Sequence, residues 1–237
     1  MSLKTELIQL SVQDGTQMQA YTALPEGDGP FPGLIVFQEA FGVNHHIKSL
    51  CNRFAAEGYV VIAPELFHRS GEPGITIDYS DFPSAMPHMQ AITPEGLIAD
   101  STAAFDWLQQ HPQVQPGQIA CTGYCMGGRT SFVANTALPL KAAISYYGGG
   151  IAPHLVDRAP QLHAPMLFFW GGLDEHIPAE RIQQVITAMK DAGKKYINVE
   201  ISYADHGFFC DERPSYNAQA AQDVWAITLS FLKTHLA

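Results

Sequence analysis

Continuous apolar runs alternate with amphipathic segments along most of the chain. The runs 33–37 and 59–63 have no polar face, which is typical of strands covered on both sides in a parallel sheet. Between them, apolar residues recur at helical spacing, namely Ile47, Leu50, Cys51, Phe54 and Ala55. Asn44 suits the N-cap of this helix and Gly58 its end. The pattern predicts a β-α-β unit.

The same alternation continues towards the C-terminus. Thr93-Pro94 is a helix start signal, and it predicts a helix over 94–111. Further helices are predicted after Gly127, after Pro178 and from Ser215 onwards. The remaining strands are predicted over 118–123, 141–147, 165–170 and 197–203. We therefore expect one α/β domain over 1–237, with a mostly parallel sheet and helices on both of its faces.

Two regions depart from this alternation. Residues 3–12 and 17–23 alternate apolar and polar positions around Asp14-Gly15, which predicts an antiparallel hairpin at the edge of the sheet. Residues 65–93 show no clear periodicity, and loops of that length often serve as lids or binding loops. This segment could cover a substrate, or it could be a surface excursion packed by its own side chains.

Composition and charge exclude several classes of protein. The chain has 237 residues, 46% of them hydrophobic, which is typical of a globular domain. Its formal net charge of -10 argues against a nucleic-acid partner, and no apolar run reaches the ~18 residues of a membrane span. The start of the chain lacks the apolar core of a signal peptide, so a cytoplasmic location with reduced thiols is expected. The ten histidines do not follow a zinc-ligand spacing, and we expect no metal.

The strongest chemical signal is residues 123–128, Gly-Tyr-Cys-Met-Gly-Gly, which lie directly between a predicted strand and a predicted helix. This is a G-x-nucleophile-x-G turn with Cys125 at the position where serine is more usual. The N-terminus of the following helix supplies N–H groups and positive potential that favour a thiolate. The alternative is a buried structural cysteine, a common fate of this residue.

Two later turns complete a candidate catalytic triad. Asp174 follows the strand 165–170, and His206 follows the strand 197–203, so nucleophile, acid and base occur in the order that this fold requires. Each lies past the C-terminal end of its strand, where ligands bind in open α/β sheets. Taken alone, Asp174 could be a helix N-cap and His206 a surface imidazole. Asp205 is the alternative acid, but a neighbour of the base seldom orients its far nitrogen.

These residues suggest a mechanism. His206 can take the thiol proton, while Asp174 fixes the ring tautomer and stabilises the imidazolium. The oxyanion would be met by the N–H of Met126 and by one N–H from the turn 38–44.

Several of these stretches together resemble the dienelactone hydrolase (carboxymethylenebutenolidase) family of α/β-hydrolases. They are 38–44 (Gln-Glu-Ala-Phe-Gly-Val-Asn), 123–128, Asp174 and 206–208 (His-Gly-Phe), with further matches at 64–67 and 211–216. The resemblance implies a hydrolase that needs no cofactor, with Cys125, Asp174 and His206 as its triad. It also implies that the N–H of Ala40 joins the oxyanion hole. By the same resemblance, Glu39 holds the resting thiol and releases it when substrate binds.

The chain departs from the family at the arginines that bind the substrate carboxylate. The family has one of them in the loop matching 65–93 and another four residues past the catalytic histidine, where this chain has Cys210. Arg69 and Arg213 are the remaining candidates for substrate binding, although neither matches those positions. Each could instead form a surface or structural ion pair.

The sequence thus predicts a hydrolase of lactones or small esters that forms a thioester on Cys125. It would act as a monomer or homodimer on a small-molecule substrate. One alternative is a non-hydrolytic protein of the same fold that binds a small lactone. A second is a peroxide-reactive thiol protein in which Cys121 or Cys210 resolves an oxidised Cys125.

Overall fold

The computed structural model describes residues 3–236. The chain divides into two compact units, with the boundary between Cys121 and Thr122. Their strands and helices alternate in an α/β fold whose strands are mostly parallel, and this confirms the predicted fold class. The single-domain organisation stays a prediction.

The first unit contains β1 (Lys4–Ser11), β2 (Gln17–Leu24), β3 (Phe31–Phe37), α1 (His45–Ala56), β4 (Val60–Pro64), α2 (Phe82–Ala91) and α3 (Pro94–Gln110). Strand β5 (Val114–Tyr124) begins in this unit and ends in the next. The second unit adds α4 (Met126–Ala137), β6 (Ala142–Tyr146), β7 (Met166–Gly171), α5 (Ala179–Asp191), β8 (Tyr196–Ile201) and α6 (Ala218–His235). A 3-10 helix, Val156–Gln161, follows β6 and was not predicted.

The N-terminal hairpin forms as predicted, but only one of its strands lies at an edge. β1 pairs antiparallel with β2, and β2 pairs antiparallel with β4 on its other side, in a register that sets Ala20 opposite Pro64. The hairpin therefore forms the antiparallel edge that the sequence predicts, with β1 as its outermost strand. β2 is covered by a neighbour on each side, and Thr22, Ala23 and Leu24 at its end are all buried. β4 then pairs in parallel with β3.

The helix start signals of the first unit are confirmed. The Asn44 side chain accepts from the N–H of Ile47 at 3.2 Å and caps α1, and the Thr93 hydroxyl accepts from Gly96 at 3.0 Å and caps α3. α1 and α3 pack against β3 and β4, and they bury the apolar faces that the sequence pattern predicts.

The segment 65–93 contains one helix, α2, that its weak periodicity did not indicate. The helix is capped by Asp81, and Pro87 lies inside it. Its apolar residues follow a helical spacing only over a short stretch, so the sequence pattern gives little sign of a helix. The rest of the segment packs on the loop after β3: Gly42 forms a bridge with Thr76, and the N–H of Ile77 donates to the carbonyl of Phe41 at 3.1 Å.

In the second unit β6, β7 and β8 are parallel neighbours in that order, and α4 and α6 pack on β6. β6 and β7 are buried along their whole lengths, as expected for strands covered on both faces. The last helix begins at Ala218 rather than at Ser215, because Asn217 caps it through the N–H of Ala220. In residues 3–236, every helix is too short or too polar to cross a membrane.

Candidate active site

Cys125 occupies the sharp turn between β5 and α4. Its backbone lies at φ 54° and ψ -114°, a region that residues other than glycine rarely adopt. Glycines around it make the turn possible. A Cβ on Gly123 would lie 2.0 Å from the carbonyl oxygen of Gly127, and one on Gly128 would lie 2.6 Å from that of Tyr146. The predicted strand-turn-helix geometry is present, and such strain is typical of functional residues.

Cys125 is also the most accessible of the four cysteines. All four are free thiols, and Cys51, Cys121 and Cys210 are buried, whereas Cys125 is partly exposed. Its position as N-cap of α4 sets it beside the first N–H groups of the helix, which have no acceptor within the helix. A partly exposed thiol at a helix N-terminus is the setting in which cysteines react.

Asp174 lies in the turn after β7 and is held by backbone donors. Its Oδ1 accepts from the N–H of His176 at 2.8 Å and of Ile177 at 3.2 Å, and the residue is buried. Its Oδ2 lies 2.7 Å from Nδ1 of His206. Burial by itself raises the pKa of Asp174, but the hydrogen bond and charge of His206, with those of His176, lower it below its ordinary value. Asp174 is therefore an ionised partner for the imidazole at neutral pH.

Glycines also bring the two turns together. A Cβ on Gly171 would lie 2.6 Å from the carbonyl oxygen of Ala204, and one on Gly172 would lie 2.7 Å from Cα of Ser202. The N–H of Leu173 donates to the Ala204 carbonyl at 2.9 Å. The close approach of the loops after β7 and β8 thus places Asp174 against His206.

His206 connects the carboxylate to the thiol. Burial lowers the pKa of its imidazole, but the electrostatic interaction and hydrogen bonding with Cys125 and with Asp174 together raise that pKa to about 10. The ring is held by two neighbours, Tyr147 at 5.1 Å and His176 at 5.3 Å between ring centroids. Asp205 accepts from the backbone N–H of His206 at 2.6 Å and is exposed, so the orienting carboxylate is Asp174.

Glu39 and Ala40 lie in the first unit, in the loop after β3. Both are fully buried, and Oε2 of Glu39 accepts from the hydroxyl of Tyr79 at 2.9 Å. That hydroxyl in turn accepts from Nδ2 of Asn44 at 3.0 Å. Tyr79 packs against Phe41 with 4.6 Å between ring centroids. The segment 65–93 therefore contributes a partner to Glu39, and no local pattern in the sequence predicts this contact.

Arg69 forms a structural ion pair, the alternative that the sequence left open. Its Nη1 and Nη2 donate to the two carboxylate oxygens of Asp100 at 2.9 and 2.8 Å, and its Nε donates to Asp14 at 2.7 Å. Asp100 is buried and also contacts His68 at 3.0 Å. Since this guanidinium is already engaged with two carboxylates, the structure gives no support for Arg69 as a substrate-binding residue.

Arg213 lies beside the candidate base, His206. A Cβ on Gly207 would lie 2.3 Å from Nη1 of Arg213, so the guanidinium packs over the residue that follows His206. The side chain is half-buried. Arg213 thus lies close enough to the candidate site for its predicted part in substrate binding to stay open.

Arg129 is a cation near the thiol that the sequence reasoning missed. It lies one turn into α4, and its backbone N–H donates to the carbonyl of Cys125 at 3.3 Å. The sequence does contain a signal for it. A basic residue in the first turn of a helix opposes the helix dipole, so Arg129 could have been named as a candidate functional residue.

Comparisons with known proteins show the family to which the chain is similar. The model of the dienelactone hydrolase family matches residues 18–236. A protein of Escherichia coli O157:H7, provisionally named a carboxymethylenebutenolidase, is 37% identical over 231 residues, which cover 93% of this chain and 84% of that protein. One of Synechocystis with the same provisional name is 32% identical over 99% of this chain and 98% of its own length.

Solved structures are similar over the whole chain. That of a protein from Klebsiella pneumoniae, provisionally described as a dienelactone hydrolase, has a TM-score of 0.89 at 33% identity and covers 98% of this chain and 99% of its own. An acylaminoacyl peptidase of Pyrococcus horikoshii shares the fold, with a TM-score of 0.78 at 17% identity over 100% of this chain and 42% of its own. The chain therefore belongs to the dienelactone hydrolase family and is a hydrolase of ester or lactone bonds.

Proposed function

We propose that this hydrolase cleaves lactones or small esters through Cys125, His206 and Asp174, with a thioester acyl-enzyme as intermediate. The observation that carries the proposal is the 2.7 Å contact between the buried Asp174 carboxylate and Nδ1 of His206, with Cys125 near enough to the same imidazole to raise its pKa. The strained backbone of Cys125 also supports the proposal, because such strain costs stability and is found mostly at functional sites.

The first half of the reaction forms the thioester. His206 takes the proton of the Cys125 thiol, and the sulfur attacks the carbonyl carbon of the ester. A C–S bond forms, the C–O bond to the leaving alcohol breaks, and His206 returns its proton to that alcohol oxygen. In a lactone the alcohol stays attached to the acyl group. Asp174 stabilises the imidazolium throughout.

The second half releases the acid. His206 takes a proton from a water molecule, and the hydroxyl attacks the thioester carbonyl. The C–S bond breaks, and the sulfur regains the proton from His206. No electron acceptor or cofactor takes part in either half.

The negative oxygen of each tetrahedral intermediate needs N–H donors. Met126 is the first residue of α4, so its N–H has no acceptor within the helix and suits this role. The part of Ala40 as second donor and that of Glu39 in holding the resting thiol rest on the resemblance of residues 38–44 to the family.

Replacing Cys125 tests the proposal directly. In Cys125→Ala we expect the hydrolysis of an activated aryl ester to fall by at least about 10³-fold, because no nucleophile remains. Cys51→Ala is the matched control, since its thiol is buried in α1 and should leave the rate nearly unchanged. Circular dichroism would check that both variants fold. Full activity in Cys125→Ala would refute the assignment, and acylation of the wild type without release would favour the lactone-binding alternative.

A further inference from the structure

A cavity lies within the second unit, beyond the carboxyl ends of β6 and β7, at the edge of the sheet where ligands bind in this class of fold. Its volume is about 110 Å³, and a water molecule occupies roughly 30 Å³ in the liquid, so the cavity can take a group of several heavy atoms. Part of its wall is the loop after β6. The rest comes from β7, the turn after β7 and α5, through Trp170, His176, Ile177, Pro178, Arg181 and Val185.

The wall of this cavity is largely apolar. Nε1 of Trp170 donates to Asn198 at 2.7 Å, so the indole contributes apolar surface and not a free donor. Arg181 is exposed and donates to Gln184 at 3.0 Å. Among the lining residues that the structure describes, none is acidic. Pockets of this kind suit a neutral, apolar group.

One wall of the cavity is the turn that holds the candidate acid. The N–H groups of His176 and Ile177 donate to Oδ1 of Asp174 at 2.8 and 3.2 Å, and both residues line the cavity. The ring of His176 also lies 5.3 Å from that of His206, with 79° between the two planes. His176 therefore borders the cavity and the candidate base at once.

The opposite wall packs on the helix that carries the candidate nucleophile. A Cβ on Gly148, which lines the cavity, would lie 2.9 Å from the carbonyl carbon of Gly128 and 3.0 Å from the backbone nitrogen of Arg129. Both residues belong to the first turn of α4, directly after Cys125. A group bound in the cavity would thus lie next to the turns that supply both the thiol and the imidazole.

An ester has an acyl side and an alcohol side, and the proposed reaction places the alcohol oxygen within reach of His206. That oxygen receives the proton of the imidazolium as its bond to the carbonyl carbon breaks. Because His176 borders both this imidazole and the cavity, the cavity is placed to take the group attached to the alcohol oxygen. A simple lactone has no separate alcohol group and would leave the cavity empty.

We propose that this cavity binds the alcohol part of an acyclic ester, and that it selects esters of small, neutral, apolar alcohols. The proposal rests on Cys125 and His206 as the proposed nucleophile and base. It names the substrate class of that site, since the released product is then a neutral alcohol that leaves from beside His176.

Two isomeric esters test this selection. Butyl acetate and ethyl butyrate have the same atoms, and they differ only in the side of the ester that carries the longer chain. Val185→Phe fills the cavity from α5. In this variant we expect kcat/KM for butyl acetate, relative to that for ethyl butyrate, to fall about 10-fold, because two methylene groups lose their burial. Titration of the released acid at constant pH would measure both rates.

Two further variants control for effects on the fold. Val156→Phe is the matched change, since Val156 is half-buried in the same unit and borders a separate groove beside α5. It should leave the ratio of the two rates unchanged. Val185→Leu adds less volume than Val185→Phe and should lower the ratio only about 2- to 4-fold. Circular dichroism would check that all three variants fold.

Binding of a free alcohol gives a second readout that does not need hydrolysis. 2,2,2-Trichloroethanol is a small neutral alcohol that quenches indole fluorescence, and Trp170 lines the cavity. Since Trp170 is only 1% exposed, collisions from solvent reach it poorly, and we expect bound alcohol to quench it in a saturable way. Trp170→Phe should remove the saturable part of the quenching. Val185→Phe should raise the half-saturating concentration at least about threefold.

The two measurements separate this inference from the proposed function. An equal fall for both isomers in Val185→Phe would overturn the inference, because the change would then act on the fold or on the reaction as a whole. A larger fall for ethyl butyrate would overturn it too, since the cavity would then take the acyl side. Quenching that does not saturate in the wild type would contradict an alcohol site in the cavity. If neither isomer is hydrolysed but saturable quenching is lost in Trp170→Phe, the alcohol site stands and the proposed hydrolytic mechanism fails.

Discussion

Within residues 3–236, two buried carboxylates each contact a histidine, and the two pairs differ in what surrounds them. In the first unit Nε2 of His68 lies 3.0 Å from Asp100, and in the second Nδ1 of His206 lies 2.7 Å from Asp174. Both carboxylates are buried. The first carboxylate also binds Arg69 through two hydrogen bonds, whereas the second accepts only backbone N–H groups besides its histidine.

The two pairs differ at the ring nitrogen of each histidine that does not contact the aspartate. Nδ1 of His68 is buried and has no hydrogen-bond partner among residues 3–236, while the ring of His206 reaches a partly exposed thiol on a strained backbone. A carboxylate and a histidine alone therefore identify a stable pair. A reactive site also needs an accessible nucleophile, here the thiol, that can give its proton to the other nitrogen of the ring.

The largest expected effect comes from removing the carboxylate that orients each histidine. Asp174→Asn should lower kcat for an activated ester by about 10³- to 10⁴-fold, because the ring loses the partner that fixes its tautomer and stabilises its charge. Asp100→Asn is the matched change in the other pair and should leave kcat within a few-fold. Steady-state kinetics of the two variants would check this. Similar losses in both would mean that the two pairs do not differ as described.

Stability should respond in the opposite order. Asp100→Asn leaves the guanidinium of Arg69 without its buried carboxylate, and we expect the free energy of unfolding to fall by about 3 kcal/mol. Asp174→Asn keeps the side-chain oxygen that accepts two backbone N–H groups, and it should cost less. Urea unfolding followed by circular dichroism would measure both. A larger loss in Asp174→Asn would contradict this ranking.

The titration of His206 should depend on Cys125. The folded-state pKa of about 10 lies above the ordinary value of 6.5, so protonation of His206 stabilises the fold most below pH 6.5. That contribution is lost as the pH rises through about 10. Cys125→Ser removes the sulfur whose electrostatic interaction with the ring raises this pKa, so the pKa should fall towards the ordinary value. NMR titration of the ring would measure this pKa. An unchanged pKa would show that Cys125 does not affect the titration of His206.

The smallest expected effect concerns Glu39. If this carboxylate holds the resting thiol, Glu39→Gln should change the rate at which iodoacetamide alkylates Cys125 by a few-fold, because an acceptor beside a thiol opposes its ionisation. Tyr79→Phe removes the hydroxyl that donates to Glu39 and should shift the same rate less. If Glu39→Gln is alkylated at the same rate as the wild type, Glu39 does not hold the resting thiol.

Much of the fold follows from local signals in the sequence. The sequence predicts three features correctly: the apolar run of β3, the helical spacing of α1 and the cap at Asn44. Each of them depends only on a few neighbouring residues. The pairing of β2 with β4 could not be predicted in this way, since it depends on residues about forty positions away. Helix α2 escaped prediction because its apolar residues lack a helical period and it contains Pro87.

The candidate site divides in the same way. The turn at Cys125 carries its own glycines, and the positions of Asp174 and His206 follow from the ends of two predicted strands. The hydrogen bond from Tyr79 to Glu39 and the ion pairs of Arg69 depend on distant segments that meet only in the folded chain. Charged side chains on loops could therefore be named as candidates from the sequence, while their partners could not.

The account depends most on a covalent bond between Cys125 and the acyl group of the substrate. Rapid quenching during turnover of an activated ester, followed by mass spectrometry of the intact protein and its peptides, measures that bond directly. We predict one acyl group per chain during the first turnover, located on Cys125 and lost on further incubation. Product formation with Cys125 unmodified at every time, or with the acyl group on another residue, would contradict the account.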